Sequence, residues 1–126
     1  MEESSLEFIK ETCGTEYTKC IQCGRCSANC PAAGHMDLIP NKIVWALINE
    51  REEELMEANS PWKCFSCFTC AARCPRGVNP AGIMEAVRLA HIRQVGKNRL
   101  PAESLENFDS RMPQQAIVAA FRKFNK

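Results

Sequence analysis

With 126 residues, 45% of them hydrophobic and 25% charged, the chain has the composition of one soluble globular domain with a modest core. A formal net charge of +1 supplies no broad field for nucleic acid or an anionic membrane surface, so neither partner is expected. The acidic start MEESSLEFIKE and the lack of an apolar run of about 20 residues argue against an export signal or a membrane span. We expect a cytoplasmic protein without direct membrane insertion.

The first predicted element is a helix that begins at Ser4 or Ser5 and ends near Cys13. Leu6, Ile9 and Cys13 recur along it at helical spacing and form an apolar stripe. Cys13 lies outside the cysteine runs described next. A buried structural thiol is the favoured interpretation, and a spare metal ligand is the alternative.

Eight of the nine cysteines fall in two matched runs, CIQCGRCSANCP from Cys20 to Pro31 and CFSCFTCAARCP from Cys64 to Pro75. Both follow the C-x2-C-x2-C-x3-C-P pattern typical of 4Fe-4S ferredoxins. Two-residue spacers let a tight loop point its thiolates inward, while its backbone amides turn toward the cluster sulfurs. In a chain without an export signal, such cysteine density indicates metal binding instead of disulfides.

The fourth cysteine of each run lies four residues after the third, so a helical turn carries it about 6 Å along the same face. That offset favours a neighbouring cluster, and crossed ligation of this kind is described for two-cluster ferredoxins. We therefore predict two 4Fe-4S clusters and no catalytic residue. The predicted ligands are Cys20, Cys23, Cys26 and Cys74 for one cluster, and Cys64, Cys67, Cys70 and Cys30 for the other. Structural zinc, usually held by two separated C-x2-C pairs, is the weaker alternative.

Between the runs, IPNKIVWALINEREEELMEA predicts one helix that starts near Pro40, with apolar residues at helical spacing and an acidic, solvated end. After the second run, Asn79 is a predicted N-cap and Pro80 the first residue of a helix to about Val95, which Gly96 ends. No segment alternates like a strand. The predicted fold is therefore all-α.

The tail is predicted to begin as an extended loop, from Lys97 to Asp109. PQQAIVAAFRKF then forms a short helix with Ile117, Phe121 and Phe124 on one face. We expect a domain at residues 1–96 that carries both runs and a C-terminal extension at residues 97–126. Its apolar face either closes the core or docks onto a partner.

Other residues near the runs have two interpretations each. Trp62, Phe65 and Phe68 are expected to pack in the core, and they are compatible with excluding water from a cluster. Basic residues beside the runs either offset cluster charge or are solvated; they are Arg25, Lys63, Arg73 and Arg76. His35 and His91 are assigned no metal role.

The two runs, the helical linker and CPRGVNPAGIMEAVR after the second run resemble the α-helical ferredoxin family. Within it, the chain is most similar to the C subunit of heterodisulfide reductase, from about Leu6 to Val95. The resemblance implies an α-helical ferredoxin-like domain in which the eight cysteines hold two 4Fe-4S clusters.

The resemblance also implies a function in electron transfer. The protein would relay single electrons from a flavin-bearing A subunit to a disulfide-reducing B subunit, with hydrogenase or formate dehydrogenase as indirect partners. The chain has neither adjacent cysteines nor a G-x-G-x-x-G loop, so no disulfide-reducing or flavin site of its own is expected. A free ferredoxin or the relay subunit of a fumarate-reductase-like or glycerol-3-phosphate-dehydrogenase-like complex stays open.

Overall fold

The computed structural model describes residues 4–92, 109 and 111–124, with side chains described up to residue 119. The chain divides into two compact units, Met1–Ile92 and Arg93–Lys126, and each is described by itself. The expected domain boundary after residue 96 and the predicted helix end at Val95 and Gly96 lie outside the described residues. Both stay predictions.

Within the described residues the secondary structure is helical, without a strand, and the all-α prediction is confirmed. The α-helices are α1 Ser5–Thr12, α2 Arg25–Ala28, α3 Pro40–Ile48, α4 Glu52–Glu57, α5 Ser60–Lys63, α6 Thr69–Arg73, α7 Pro80–Ile92 and α8 Gln114–Phe124. Two 3₁₀ turns, Tyr17–Lys19 and Ala33–His35, flank the first cysteine run.

Helix α1 forms where the sequence predicts it. Ser4 caps it, because the Ser4 hydroxyl accepts a hydrogen bond from the Glu7 backbone N–H at 3.2 Å. Ile9 is fully buried and Cys13 is 4% exposed. The Cys13 thiol donates to the Lys10 carbonyl at 3.2 Å, and the predicted burial of this thiol is confirmed.

The prediction of one helix between the runs is wrong, since the chain forms α3 and α4 with a break at Asn49–Arg51. The Arg51 N–H bonds to the Ala46 carbonyl at 3.0 Å and the Glu50 N–H to the Leu47 carbonyl at 3.3 Å. Together with the left-handed φ of +55° at Glu50, these bonds form a Schellman motif that ends α3. The Glu50 carboxylate accepts a hydrogen bond from the Lys10 ammonium at 2.5 Å, a tertiary contact that local sequence does not encode.

Helix α7 is the central helix of the first unit. The Asn79 side-chain oxygen accepts from the Gly82 N–H at 3.0 Å, which confirms the predicted N-cap. Ile83, Val87 and Ala90 are buried along α7, as predicted, and the helix packs against α1 and α3. Pro80 lies at the start of α7, between the two cysteine-lined cavities described below.

Helix α8 begins after Pro113, whose carbonyl accepts hydrogen bonds from the Ala116 and Ile117 N–H groups. The predicted tail helix is confirmed. Ile117 is partly buried, whereas the side chains of Phe121 and Phe124 lie outside the described residues. The choice between closing the core and docking therefore stays open.

Candidate metal centres

The two cysteine runs adopt matching loop conformations. The third residue of each run has a left-handed backbone, with φ of +55° at Gln22 and +53° at Ser66. The fifth residue does so as well, with φ of +78° at Gly24 and +58° at Phe68. Glycine takes this conformation freely, whereas a bulky aromatic residue does so at a cost. The shared geometry turns successive cysteines of each run toward one side.

Each loop runs into a short helix, as the cysteine spacing predicts. Helix α2 carries Cys26 and helix α6 carries Cys70, and the two helices pack against each other. The fourth cysteine follows each helix, Cys30 two residues after α2 and Cys74 directly after α6. Because the helices are adjacent, each fourth cysteine lies within reach of the other run's loop.

The eight cysteines line two separate cavities in groups of four. The first-motif cavity is lined by Cys20, Cys23, Cys26 and Cys74. The second-motif cavity is lined by Cys64, Cys67, Cys70 and Cys30. These are the two groups that the crossed pairing predicts. Ligation itself stays a prediction.

The donor set of each cavity suits an iron-sulfur cluster. Four thiol groups meet the four-cysteine ligand requirement of a cubane, and all nine cysteines are free of disulfides. In the described part of the chain, no three His, Cys, Asp or Glu side chains are arranged to hold a single metal ion. The cysteines line spaces instead of converging on one point.

Several donors surround the sulfurs of the first-motif cavity. The Gln22 backbone N–H and side-chain amide point at Cys20 Sγ, at 3.4 and 3.3 Å. The Val78 N–H donates to Cys74 Sγ at 3.3 Å. Arg76 also lines this cavity and adds a positive charge. Such donors and charges stabilise negative charge at the sulfurs.

The second-motif cavity is lined by fewer polar side chains than the first-motif cavity. The Ser66 N–H donates to Cys64 Sγ at 3.4 Å, and the Thr69 hydroxyl lies 3.3 Å from Cys67 Sγ. Thr69 is the one polar lining residue apart from the cysteines. Phe65 and Phe68 are among the apolar ones. The two cavities therefore differ in the polar side chains that line them.

The thiols differ in acidity. Burial raises the pKa of the Cys26 and Cys70 thiols, and hydrogen bonding with Ser27 or with backbone groups offsets this only in part. The hydrogen bond between Cys67 and the Thr69 hydroxyl lowers the pKa of the exposed Cys67 thiol. Since a thiol releases its proton when it ligates iron, loading of both cavities is favoured as pH rises.

The expectation that the aromatic residues of the second run fill the core is wrong. Trp62 is 53% exposed, Phe65 is 69% exposed and Phe68 is 52% exposed. Phe65 and Phe68 lie at the rim of the second-motif cavity, and the Trp62 ring packs against His91 at 5.9 Å. The small core is filled by aliphatic side chains of α1, α3 and α7, which leaves these aromatics beside the cavity.

Sequence reasoning missed the polar group behind the first run. Asn41 on α3 contacts Gln22 through the Gln22 amide, which donates to the Asn41 carbonyl at 3.0 Å. The Ser27 hydroxyl donates to the Asn41 side-chain oxygen at 2.5 Å and accepts from the Asn41 N–H at 3.0 Å. The sequence did show that a polar residue, Gln22, lies between the first two cysteines of the run. Its partner is 19 positions away, which spacing does not indicate.

Comparison with protein families agrees with this geometry. The family model of the 4Fe-4S dicluster domain matches residues 16–78, which include all eight clustered cysteines and half of the chain. The chain belongs to the 4Fe-4S dicluster domain family. This membership confirms the 4Fe-4S interpretation of the two runs and the α-helical ferredoxin-like fold.

The relatives of this dicluster domain include named components of larger enzymes. The C subunit of ferredoxin:CoB-CoM heterodisulfide reductase from Methanosarcina acetivorans is 30% identical, over 91% of this chain and 54% of the relative. A heterodisulfide reductase C-subunit-like protein of Archaeoglobus profundus is 32% identical, over 85% of this chain and 57% of the relative. The resemblance to the C subunit of heterodisulfide reductase is thereby confirmed. The dicluster chain spans about half the length of these curated relatives.

A further relative of the dicluster domain is the C2 subunit of H(2)/formate:CoB-CoM heterodisulfide,ferredoxin reductase from Methanococcus maripaludis, 33% identical over 55% of this chain and 37% of the relative. No helix among the described residues is long and apolar enough to cross a membrane.

Proposed function

We propose that the chain is a two-cluster electron-transfer subunit of a heterodisulfide-reductase-like complex. The observation that carries the proposal is the pair of cavities, each lined by three cysteines of one run and the fourth cysteine of the other. Neither run lines a complete cavity alone. The two clusters are therefore held by one interlocked unit.

In the proposed arrangement, Cys20, Cys23, Cys26 and Cys74 hold one cluster and Cys64, Cys67, Cys70 and Cys30 hold the other. A bound 4Fe-4S cluster supplies reversible one-electron transfer. The protein keeps the two sites adjacent through the packing of α2 against α6 and the shared lining residue Pro80. This adjacency suits a relay between two partners.

The proposed partners follow from the similarity to the C subunits of heterodisulfide reductases. They are a flavin-bearing A subunit and a disulfide-reducing B subunit, with hydrogenase or formate dehydrogenase as indirect donors. The proposed location is the cytoplasm, since eight reduced cysteines suit a reducing compartment. The chain itself is proposed to be noncatalytic.

The first experiment is anaerobic purification with iron, sulfide and zinc analysis on one sample, followed by electron paramagnetic resonance after reduction. The proposal expects about eight irons and eight sulfides per chain, with interacting signals from two reduced clusters. About two zincs without sulfide would replace the electron-transfer function with a structural zinc module.

Anaerobic copurification then tests the partners. Association with a flavin-bearing and a disulfide-reducing protein supports the proposed complex. Stable association with only a fumarate-reductase-like or glycerol-3-phosphate-dehydrogenase-like flavoprotein would replace it with the alternative relay function.

A further inference from the structure

The two cavities present different environments to the same kind of ligand set. Apart from cysteines, the polar side chains lining the first-motif cavity are Gln22, Asn41 and Arg76. In the second-motif cavity, Thr69 is the one polar side chain in the lining apart from the cysteines. Both cavities have backbone N–H donors to sulfur. The contrast therefore lies mainly in the side chains.

Gln22 makes the one hydrogen bond from a nitrogen-bearing side chain to a motif sulfur among the described residues. One hydrogen of its amide faces Cys20 Sγ at 3.3 Å, and the other faces the Asn41 carbonyl at 3.0 Å. The Gln22 side-chain oxygen accepts from the Asn41 amide at 3.4 Å. These contacts fix the orientation of the amide, so that its N–H faces the sulfur.

Ser66 is the matched residue of the second run, with the same left-handed backbone. Its backbone N–H donates to Cys64 at 3.4 Å, as that of Gln22 donates to Cys20. The Ser66 hydroxyl, however, accepts a hydrogen bond from Arg88 at 2.9 Å. At this matched position, a side-chain donor to sulfur is therefore present at residue 22 and absent at residue 66.

Reduction adds one negative charge to a thiolate-ligated cluster, and donors to its sulfurs stabilise that charge. A site without the Gln22 amide and the positive charge of Arg76 stabilises it less. Resting on the proposed function, we infer that the two sites have unequal reduction potentials and that Gln22 raises the potential of the site lined by Cys20, Cys23, Cys26 and Cys74. Energetically downhill transfer of one electron then runs from the second-motif cavity to the first-motif cavity.

The test is a reductive titration of the full chain, purified anaerobically with about eight irons and followed by electron paramagnetic resonance. The wild type should show two reduction steps. Gln22→Ser installs the side chain of the matched position and removes the amide donor. It should lower the potential of the higher-potential reduction step by about 59 mV, which is tenfold in the equilibrium of a one-electron reduction. The potential of the other step should stay unchanged.

Two further variants keep the result interpretable. Gln22→Met keeps a side chain of similar length without a donor, and it should lower the same step if Gln22→Ser fails to load iron. Ser66→Ala alters the matched left-handed position but keeps the backbone donor to Cys64, so both steps should stay in place. The inference would be overturned if Gln22→Ser or Gln22→Met shifted the reduction step at the lower potential. It would also be overturned if Ser66→Ala shifted the potentials as much as the Gln22 variants do.

The inference and the proposed function fail in different ways. A wild-type chain without iron and sulfide refutes the proposed function before any titration. A chain with about eight irons, and with steps that the Gln22 variants leave unmoved, keeps the relay function and refutes only the role of Gln22.

Discussion

At the residue scale, the two runs adopt the same left-handed backbone at matched positions but with different residue types. Gly24 and Phe68 occupy the matched left-handed position, and only Phe68 carries a bulky side chain there. The Phe68 ring lines the second-motif cavity, although it is 52% exposed. A left-handed backbone at an aromatic residue costs free energy, so the strain at this position can be measured by substitution.

Phe68→Gly and Phe68→Ala both remove the ring, and only alanine keeps the cost of the left-handed backbone. We expect the glycine variant to be more stable than the alanine variant by about 1 kcal/mol. Anaerobic urea unfolding, followed by loss of cluster absorption, measures the difference. Equal midpoints for the two variants would show that the backbone at this position is unstrained.

Gly82 is a second residue whose role depends on packing. A Cβ atom built there lies 2.7 Å from the Cys13 carbonyl oxygen, which is a backbone atom at the end of α1. Gly82→Ala should therefore destabilise the unit by about 1–3 kcal/mol, although alanine favours helices by about 1 kcal/mol.

The matched control is Gly34→Ala, because a Cβ there meets nothing within 4 Å. Its free energy of unfolding should stay within about 0.5 kcal/mol of the wild type. If Gly82→Ala proved as stable as this control, α1 and α7 would separate more easily than their packing indicates.

At the scale of elements, Asp37 ties the end of the first run's loop to the start of α5. Its carboxylate accepts hydrogen bonds from the Leu38, Asn59 and Ser60 N–H groups at 2.7, 2.8 and 3.0 Å. Partial desolvation opposes ionisation, but the Ser60 hydroxyl and these N–H donors outweigh it, so the pKa of Asp37 is lowered from its ordinary value of 3.8. Since α5 leads into Cys64, this anchor positions the second run.

Asp37→Asn should cost about 1 kcal/mol at neutral pH, a modest value because Asp37 is exposed. Its lowered pKa favours the ionised form in the folded state. The stabilisation is therefore complete above the unfolded pKa near 3.8 and is lost as pH falls through the lower folded value.

Urea unfolding of wild type and Asp37→Asn should thus differ by a constant amount from pH 8 to pH 5 and converge only below about pH 4. Glu53→Gln, which removes one exposed carboxylate on α4, is the control for net charge. A difference that already changes between pH 8 and pH 5 would show that another group is responsible.

At the scale of the whole molecule, the crossed pairing can be tested by counting iron. If Cys74 and Cys23 serve the same cluster, the double variant Cys23→Ala/Cys74→Ala loses one cluster and keeps about four irons. Cys67→Ala/Cys74→Ala then removes one ligand from each cluster and should keep almost none.

Uncrossed pairing predicts the reverse ranking of the two double variants. Cys13→Ala is the control, because Cys13 is buried and lines neither cavity. It should keep about eight irons.

Local sequence predicted the starts of α1, α3, α7 and α8, because capping and apolar spacing act over a few residues. Ser4, Asn79 and Pro113 mark helix starts in the sequence and in the structure. The break at Glu50 was missed, since its left-handed backbone occurs at a residue type that rarely adopts it. The exposure of Trp62, Phe65 and Phe68 was missed as well, because hydrophobic residue type alone does not say which surface is covered.

The sequence by itself determined the cluster type and the eight candidate ligands, since thiolate number and spacing are properties of a short segment. It also determined the helical class through apolar periodicity. The tertiary structure brings the two predicted groups of four cysteines together, because α2 packs on α6 and residues of both runs then line the same cavities. It also decided that Gln22 faces Cys20, since Asn41, 19 positions further along the chain, orients its amide.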